Sequence, residues 1–167
     1  MKQATSTFFI SLSCLILPVL QACSQTTNTD VALVYVASTP CSAGTRSLPG
    51  IPKDAACELI KWELKLFEGK GKQMPGTYIL NCDYGMPRQG TQGFVNGGDH
   101  LHREGKWIII KGTTTNPSAI IYRLDPDTPQ VSVSFLRLNE NLIHLLDSHH
   151  QLMIGNGAWS YTLNKVQ

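Results

Sequence analysis

Glu58-Leu59-Ile60-Lys61-Trp62-Glu63-Leu64-Lys65-Leu66-Phe67 is the stretch that decides the fold. Ile60, Trp62, Leu64 and Leu66 alternate with Lys61, Glu63 and Lys65. A period of two puts one set on each side of an extended strand, so one face is buried and the other is wet. A helix would scatter the same apolar residues around its circumference. Glu68-Gly69-Lys70-Gly71-Lys72 then supplies a turn, and residues 77–84 return as a second strand with Tyr78, Leu80, Cys82 and Tyr84 on one face.

The same pattern extends outward in both directions. Upstream, residues 31–37 are apolar around Tyr35 and predict a first strand. Residues 42–56 carry Gly44, Pro49, Gly50 and Pro52, which predicts an irregular connection. Downstream, residues 85–99 are rich in Gly, Gln and Asn and read as a loop, with a short strand over 91–95. Gly105-Lys106-Trp107 opens a strand that ends at Lys111. Residues 119–124 follow, with Ile120, Tyr122 and Leu124 facing one way. Residues 131–138 switch phase after Phe135, which predicts a bulge or an edge there. Residues 142–147 and 151–154 form a further pair, and Trp159, Tyr161 and Leu163 alternate in a last strand. That makes eight to ten short strands joined by turns, without a convincing helix. Such a series predicts an all-β domain, a small antiparallel up-and-down barrel, because closure removes the exposed edges of an open sheet.

The N-terminus reads differently. One basic residue, Lys2, precedes an apolar run over 8–20 that is too short for a comfortable membrane span. Leu20-Gln21-Ala22-Cys23 closes it. This resembles the lipobox of bacterial lipoproteins, which implies cleavage before Cys23, a diacylglycerol on its thiol and N-acylation by a palmitate-type chain. Residues 1–22 are then a lipoprotein signal peptide, 23–30 a flexible polar tether, and 31–167 a single barrel domain. Several buried acyl chains anchor a protein firmly in a membrane. Ser24 follows the Cys, where an Asp would favour the inner membrane, so the expected address is the outer membrane of the bacterial cell envelope.

Export places the remaining thiols in an oxidising compartment, where they tend to pair. Cys14 lies in the leader and Cys23 carries lipid, which leaves Cys41, Cys57 and Cys82. A hairpin centred near Gly71 would bring Cys57 beside Cys82, the expected bridge; Cys41 with Cys57 is the competitor. Charge is nearly balanced, with a formal net charge of +2 over the whole sequence, and no basic stripe points to nucleic acid.

Gly105-Lys106-Trp107, the strand at 142–147 with its Leu-Leu-Asp ending, Thr39-Pro40-Cys41 and the lipobox together resemble small lipoproteins of the copper-resistance NlpE type. The resemblance implies a lipocalin-like barrel. That family carries a Cys-x-x-Cys pair where this chain reads Cys41-Ser42-Ala43-Gly44. The second thiol is missing, so the resemblance implies the fold and does not by itself imply copper handling.

Asp99-His100-Leu101-His102 is the best metal candidate, because His100 and His102 share a face of an extended segment. Zinc or copper would need further donors, from His144, His149, His150 or Cys41. Otherwise the segment is a wet loop. Gly-x-Ser-x-Gly, the P-loop, the dinucleotide glycine pattern and His-Glu-x-x-His are all missing from the sequence, so neither an enzyme nor a cofactor is expected. Trp62, Trp107 and Trp159 read as core. A barrel of this size can hold one small apolar ligand, and Tyr78, Tyr84 and Tyr122 are the residues expected to line such a cavity. The sequence therefore predicts a lipid-anchored binding or sensing barrel, whose partners are the membrane and a small apolar ligand or envelope protein. The alternatives are an envelope metal-binding protein and a purely structural lipoprotein.

Overall fold

The computed structural model describes residues 32–166 apart from 43, 45–47, 71–73 and 114–115. The signal peptide, Cys23 and the tether lie outside the described residues. Eight strands run in chain order: β1 Ala32–Pro40, β2 Leu59–Phe67, β3 Thr77–Gly85, β4 Asp99–Lys111, β5 Ile120–Leu124, β6 Val133–Arg137, β7 Leu142–Leu146 and β8 Thr162–Lys165. Each pairs antiparallel with its neighbour, and β8 returns to β1 through Tyr35↔Lys165 and Val36↔Asn164. The result is a closed up-and-down barrel, as the alternation predicts.

The alternation also sets the inside and the outside. Ile60, Trp62, Leu64 and Leu66 of β2 are buried, and Tyr78, Leu80, Cys82 and Tyr84 of β3 face them from the next strand. Antiparallel order gives the barrel two distinct ends. The connections β1–β2, β3–β4, β5–β6 and β7–β8 gather at one. The other collects β2–β3, β4–β5, β6–β7, the start of β1 and the end of β8.

The first of these ends is stapled and plugged. Cys41 and Cys57 form a disulfide with their Cα atoms 5.3 Å apart, within the ordinary span for a bridge. The expected pairing of Cys57 with Cys82 is therefore corrected. The β2–β3 register sets Cys82 opposite Trp62, well inside the ladder, whereas Cys57 precedes the first rung, Leu59↔Gly85. Cys41 instead extends the β1–β2 ladder, its N–H donating to the Glu58 carbonyl at 3.0 Å, which brings it beside Cys57. Cys82 is a buried free thiol, and burial raises its pKa above the ordinary cysteine range. Leu48 and Ile51, from the irregular β1–β2 connection, are buried with the disulfide and fill this end. Above them the Trp62 indole N–H donates to Thr39 Oγ1 at 2.8 Å, and the Trp62 ring meets Phe135 edge-on.

Several boundaries differ from the sequence reading. β4 begins at Asp99, so His100 and His102 lie on a strand and not in a loop. Residues 91–95 form no strand; one bridge, Pro87↔Phe94, and a turn of 3-10 helix at Val95–Gly97 take their place. No phase switch occurs at Phe135. Val133, Phe135 and Arg137 point inward, and Leu136 points outward opposite Ile121, so each residue keeps its period. Residues 151–154 contribute only the bridge Leu146↔Leu152. Trp62 and Trp107 are core, but Trp159 is 38 % exposed, next to the tight turn at Asn156.

Candidate functional site: the barrel mouth

The end opposite the disulfide opens into a cavity of about 500 Å³, within the size range of small-molecule sites. Its position follows from the strand register. Trp107, Ile109 and Lys111 of β4 face Leu124, Tyr122 and Ile120 of β5 across the ladder, and all are inward positions. Leu33 and Tyr35 supply the β1 wall, Arg137 the end of β6 and Lys165 the end of β8. Glu68 and Glu140 reach in from the β2–β3 and β6–β7 connections. Beside and below the cavity, Leu64, Leu80, Leu124, Phe135, Ile143, Leu145 and Leu163 have no exposed surface. The barrel is thus packed in its lower part and hollow at the top.

Aromatic rings hold the mouth in shape. The Trp107 indole N–H donates to the Phe67 carbonyl at 2.9 Å, which fixes the ring under the β2–β3 turn. Trp107 and Tyr122 pack edge-on with centroids 5.3 Å apart, a favoured aromatic geometry. Burial pushes the Tyr35 hydroxyl up to about 12, with the neighbouring Tyr122 adding to the rise and Arg137 opposing it. Tyr122 is raised by burial as well, and the Arg137 guanidinium beside its hydroxyl works against that rise. Arg137 donates from Nε to the Asn139 carbonyl at 3.4 Å. Among the described residues no carboxylate lies within ion-pair distance of it.

Of the three tyrosines expected to line a cavity, only Tyr122 does so. Tyr78 turns its hydroxyl onto the Asp125 carboxylate, which also receives Arg103. Arg103 donates a further bond to the Val131 carbonyl at 2.6 Å. This cluster ties β3 and β4 to the β5–β6 connection. A Cβ on Gly105 would come within 2.2 Å of Asp125 Oδ1, so the missing side chain makes room for the carboxylate. Asp125 itself has a left-handed backbone (φ 47°), a conformation that Asp tolerates better than most residues. Tyr84 sits at the last β3–β4 rung, Tyr84↔Asp99, at the disulfide end and far from the mouth. Tyr35 and Arg137 escaped the sequence reading. Alternation tells which residues face inward but not how high in the barrel Tyr35 stands, and the phase switch expected after Phe135 puts Arg137 on the wrong face.

The proposed metal ligands share a face, as expected, and then part company. His100 Nδ1 lies 2.7 Å from Asp83 Oδ1. His102 sits between Asn81 Oδ1, at 2.7 Å from its Nδ1, and Glu104 Oε1, at 3.0 Å from its Nε2. Both rings are exposed on the outer wall. The further donors do not join them. Cys41 is in the disulfide. His144 occupies β7, within hydrogen-bond distance of Thr162 Oγ1 and the Met153 carbonyl. His149 and His150 are in the β7–β8 connection. No group of three His, Cys, Asp or Glu side chains suited to a metal occurs among the described residues.

A larger cleft of about 870 Å³ lies at the disulfide end, between the β1–β2, β5–β6 and β7–β8 connections. Arg123, Ser134 and Leu146 line it from the outer face and Val133 from the inner one, beside the plug residues Leu48 and Ile51, so it lies at the rim of the closed end. Arg123 is packed on His150, whose pKa is lowered by burial and by that guanidinium. The mouth, by contrast, has an apolar floor and inward-facing walls. No protein-family model matches the chain, and neither a curated protein nor a solved structure matches it.

Proposed function

We propose that this chain is a lipid-anchored protein of the bacterial cell envelope whose barrel binds a small apolar ligand, without catalysis. The observation that carries the reading is the hollow mouth, lined by Leu33, Ile109, Ile120 and three aromatic rings above a filled core. A purely structural barrel needs no such opening. The Leu20-Gln21-Ala22-Cys23 sequence supports the anchor, and the short motifs shared with NlpE-type lipoproteins agree with it. The anchor and the mouth also belong together. β1 starts at the mouth end, nine positions after Cys23. At about 3.4 Å per extended residue, the tether lets the opening sit within roughly 30 Å of the membrane surface.

Two measurements test this reading. Cells fed an alkyne-bearing palmitate analogue should label the wild-type chain, and Cys23→Ala should abolish the label. Solvent extraction of the purified full chain followed by mass spectrometry should release a stoichiometric apolar molecule. Unlabelled wild-type protein would remove the anchor, and an empty extract from protein purified without detergent exchange would remove the ligand.

A further inference from the structure

The mouth is apolar over most of its wall but contains one element out of keeping with a purely apolar ligand. Arg137 is an inward position at the end of β6, beside the hydroxyls of Tyr35 and Tyr122. Its guanidinium is met by the Asn139 carbonyl and the Tyr122 hydroxyl, both neutral, and no carboxylate lies within ion-pair distance among the described residues, so its charge has no direct counter-ion in the resting barrel. The cavity lining as a whole has three cations, Lys111, Arg137 and Lys165, against two carboxylates, Glu68 and Glu140. One positive charge is left over. An apolar wall that ends in a guanidinium without a direct counter-ion and two phenol hydroxyls is complementary to a molecule with a hydrocarbon body and one anionic group. Guanidinium also suits carboxylate geometry better than an ammonium does, because its planar fork can donate two parallel bonds.

We infer that the mouth takes a single-chain amphiphile with one negative charge in its head, a long-chain carboxylate being the simplest, with the head on Arg137 and the chain along Leu33, Ile109 and Ile120. This rests on the reading of the barrel as a binding module and specifies its ligand class. A neutral lipid would leave Arg137 without a counter-ion. A small inorganic anion would leave the apolar wall uncovered.

The test uses the full chain with its anchor, reconstituted in phosphatidylcholine nanodiscs. Two probes are compared, a brominated long-chain carboxylate at a pH where it is ionised and the brominated alcohol of the same chain. Bromine quenches the indole of Trp107, which lines the cavity, and Trp107→Phe provides the background. The expected result is saturable quenching by the carboxylate at a concentration about tenfold or more below that needed for the alcohol, as a charge-assisted hydrogen bond would give. Arg137→Met should bring the two curves together, and Arg137→Lys should keep part of the difference. Equal half-saturation by both probes on the wild type, or an unchanged preference in a folded Arg137→Met, would overturn the ligand class and leave the binding module standing. Quenching by neither probe would overturn the binding module as well. Should Arg137→Met not fold by circular dichroism, the wild-type preference alone decides.

Discussion

The two ends of this barrel solve opposite problems with the same strands. At one end the long β1–β2 connection folds inward, Leu48 and Ile51 plug the opening, and Cys41–Cys57 fastens the plug. The Tyr78–Asp125–Arg103 cluster then ties in the β5–β6 connection. At the other end Glu68 and Glu140 rim the opening, and Leu33, Tyr35, Trp107 and Tyr122 border the cavity. The lesson is that closing a sheet into a barrel removes its edges and leaves its ends undecided. The connections decide them, and here the staple and plug lie at one end and an open cavity at the other.

The sharpest way to break this comparison is to damage the closed end. Replacing Cys41 and Cys57 together by Ala opens a loop of sequence separation 16. Chain entropy for a loop of that size corresponds to about 3 kcal/mol. Urea unfolding should show that loss, and reducing the wild type should reproduce it. Asp125→Ala should come next, at about 2–3 kcal/mol, because it strands Arg103 and the Tyr78 hydroxyl in a mostly buried position. Gly105→Ala should cost about 1–2 kcal/mol by pressing a methyl on the same carboxylate. The two losses should not add in the double variant, since both act through Asp125. Independent additivity would mean that Gly105 serves some other purpose.

The mouth responds on a different axis. Burial, with Tyr122 adding and Arg137 opposing, raises Tyr35 from 10.0 to about 12. The unfolded chain therefore loses that proton first. Stability from this group is intact below pH 10 and declines as pH rises through 10 to about 12. Absorbance of the phenolate during an alkaline titration should show several tyrosines ionising late, and Tyr35→Phe should reduce that phase by one phenol, Tyr78 and Tyr122 keeping the rest. The smallest effect is expected from Tyr122→Phe, within about 0.5 kcal/mol in urea, because the ring contact with Trp107 survives. A loss as large as that of Asp125→Ala would erase the distinction between the ends.

How much of this could be read from the sequence follows from what alternation encodes. A period of two marks the inward face, so Ile60 to Leu66 and Tyr78 to Tyr84 were placed correctly, and closure followed from the strand count. Register is another matter. It depends on where the turn closes, and the β2–β3 connection closes so as to set Cys82 against Trp62, which moves it away from Cys57. The first half of β4 was hidden for a different reason. Its inward positions after Leu101 are Arg103 and Gly105, which break the apolar rhythm because they serve Asp125 and not the core. The phase switch expected after Phe135 would turn Arg137 outward, and the unbroken β6–β7 register turns it inward toward two tyrosines. The paired imidazoles of His100 and His102 were legible as a shared face. Their neighbours Asp83, Asn81 and Glu104, on β3 and β4, were not all local in sequence.

Filling each end with one oversized side chain tests the division most directly. Leu80→Trp enlarges a residue with no exposed surface in the packed part, and Ile109→Trp enlarges one on the cavity wall. Urea midpoints with unchanged slopes should show a loss of about 3 kcal/mol for Leu80→Trp and less than about 1 kcal/mol for Ile109→Trp. Equal losses would contradict a barrel that is hollow at the mouth.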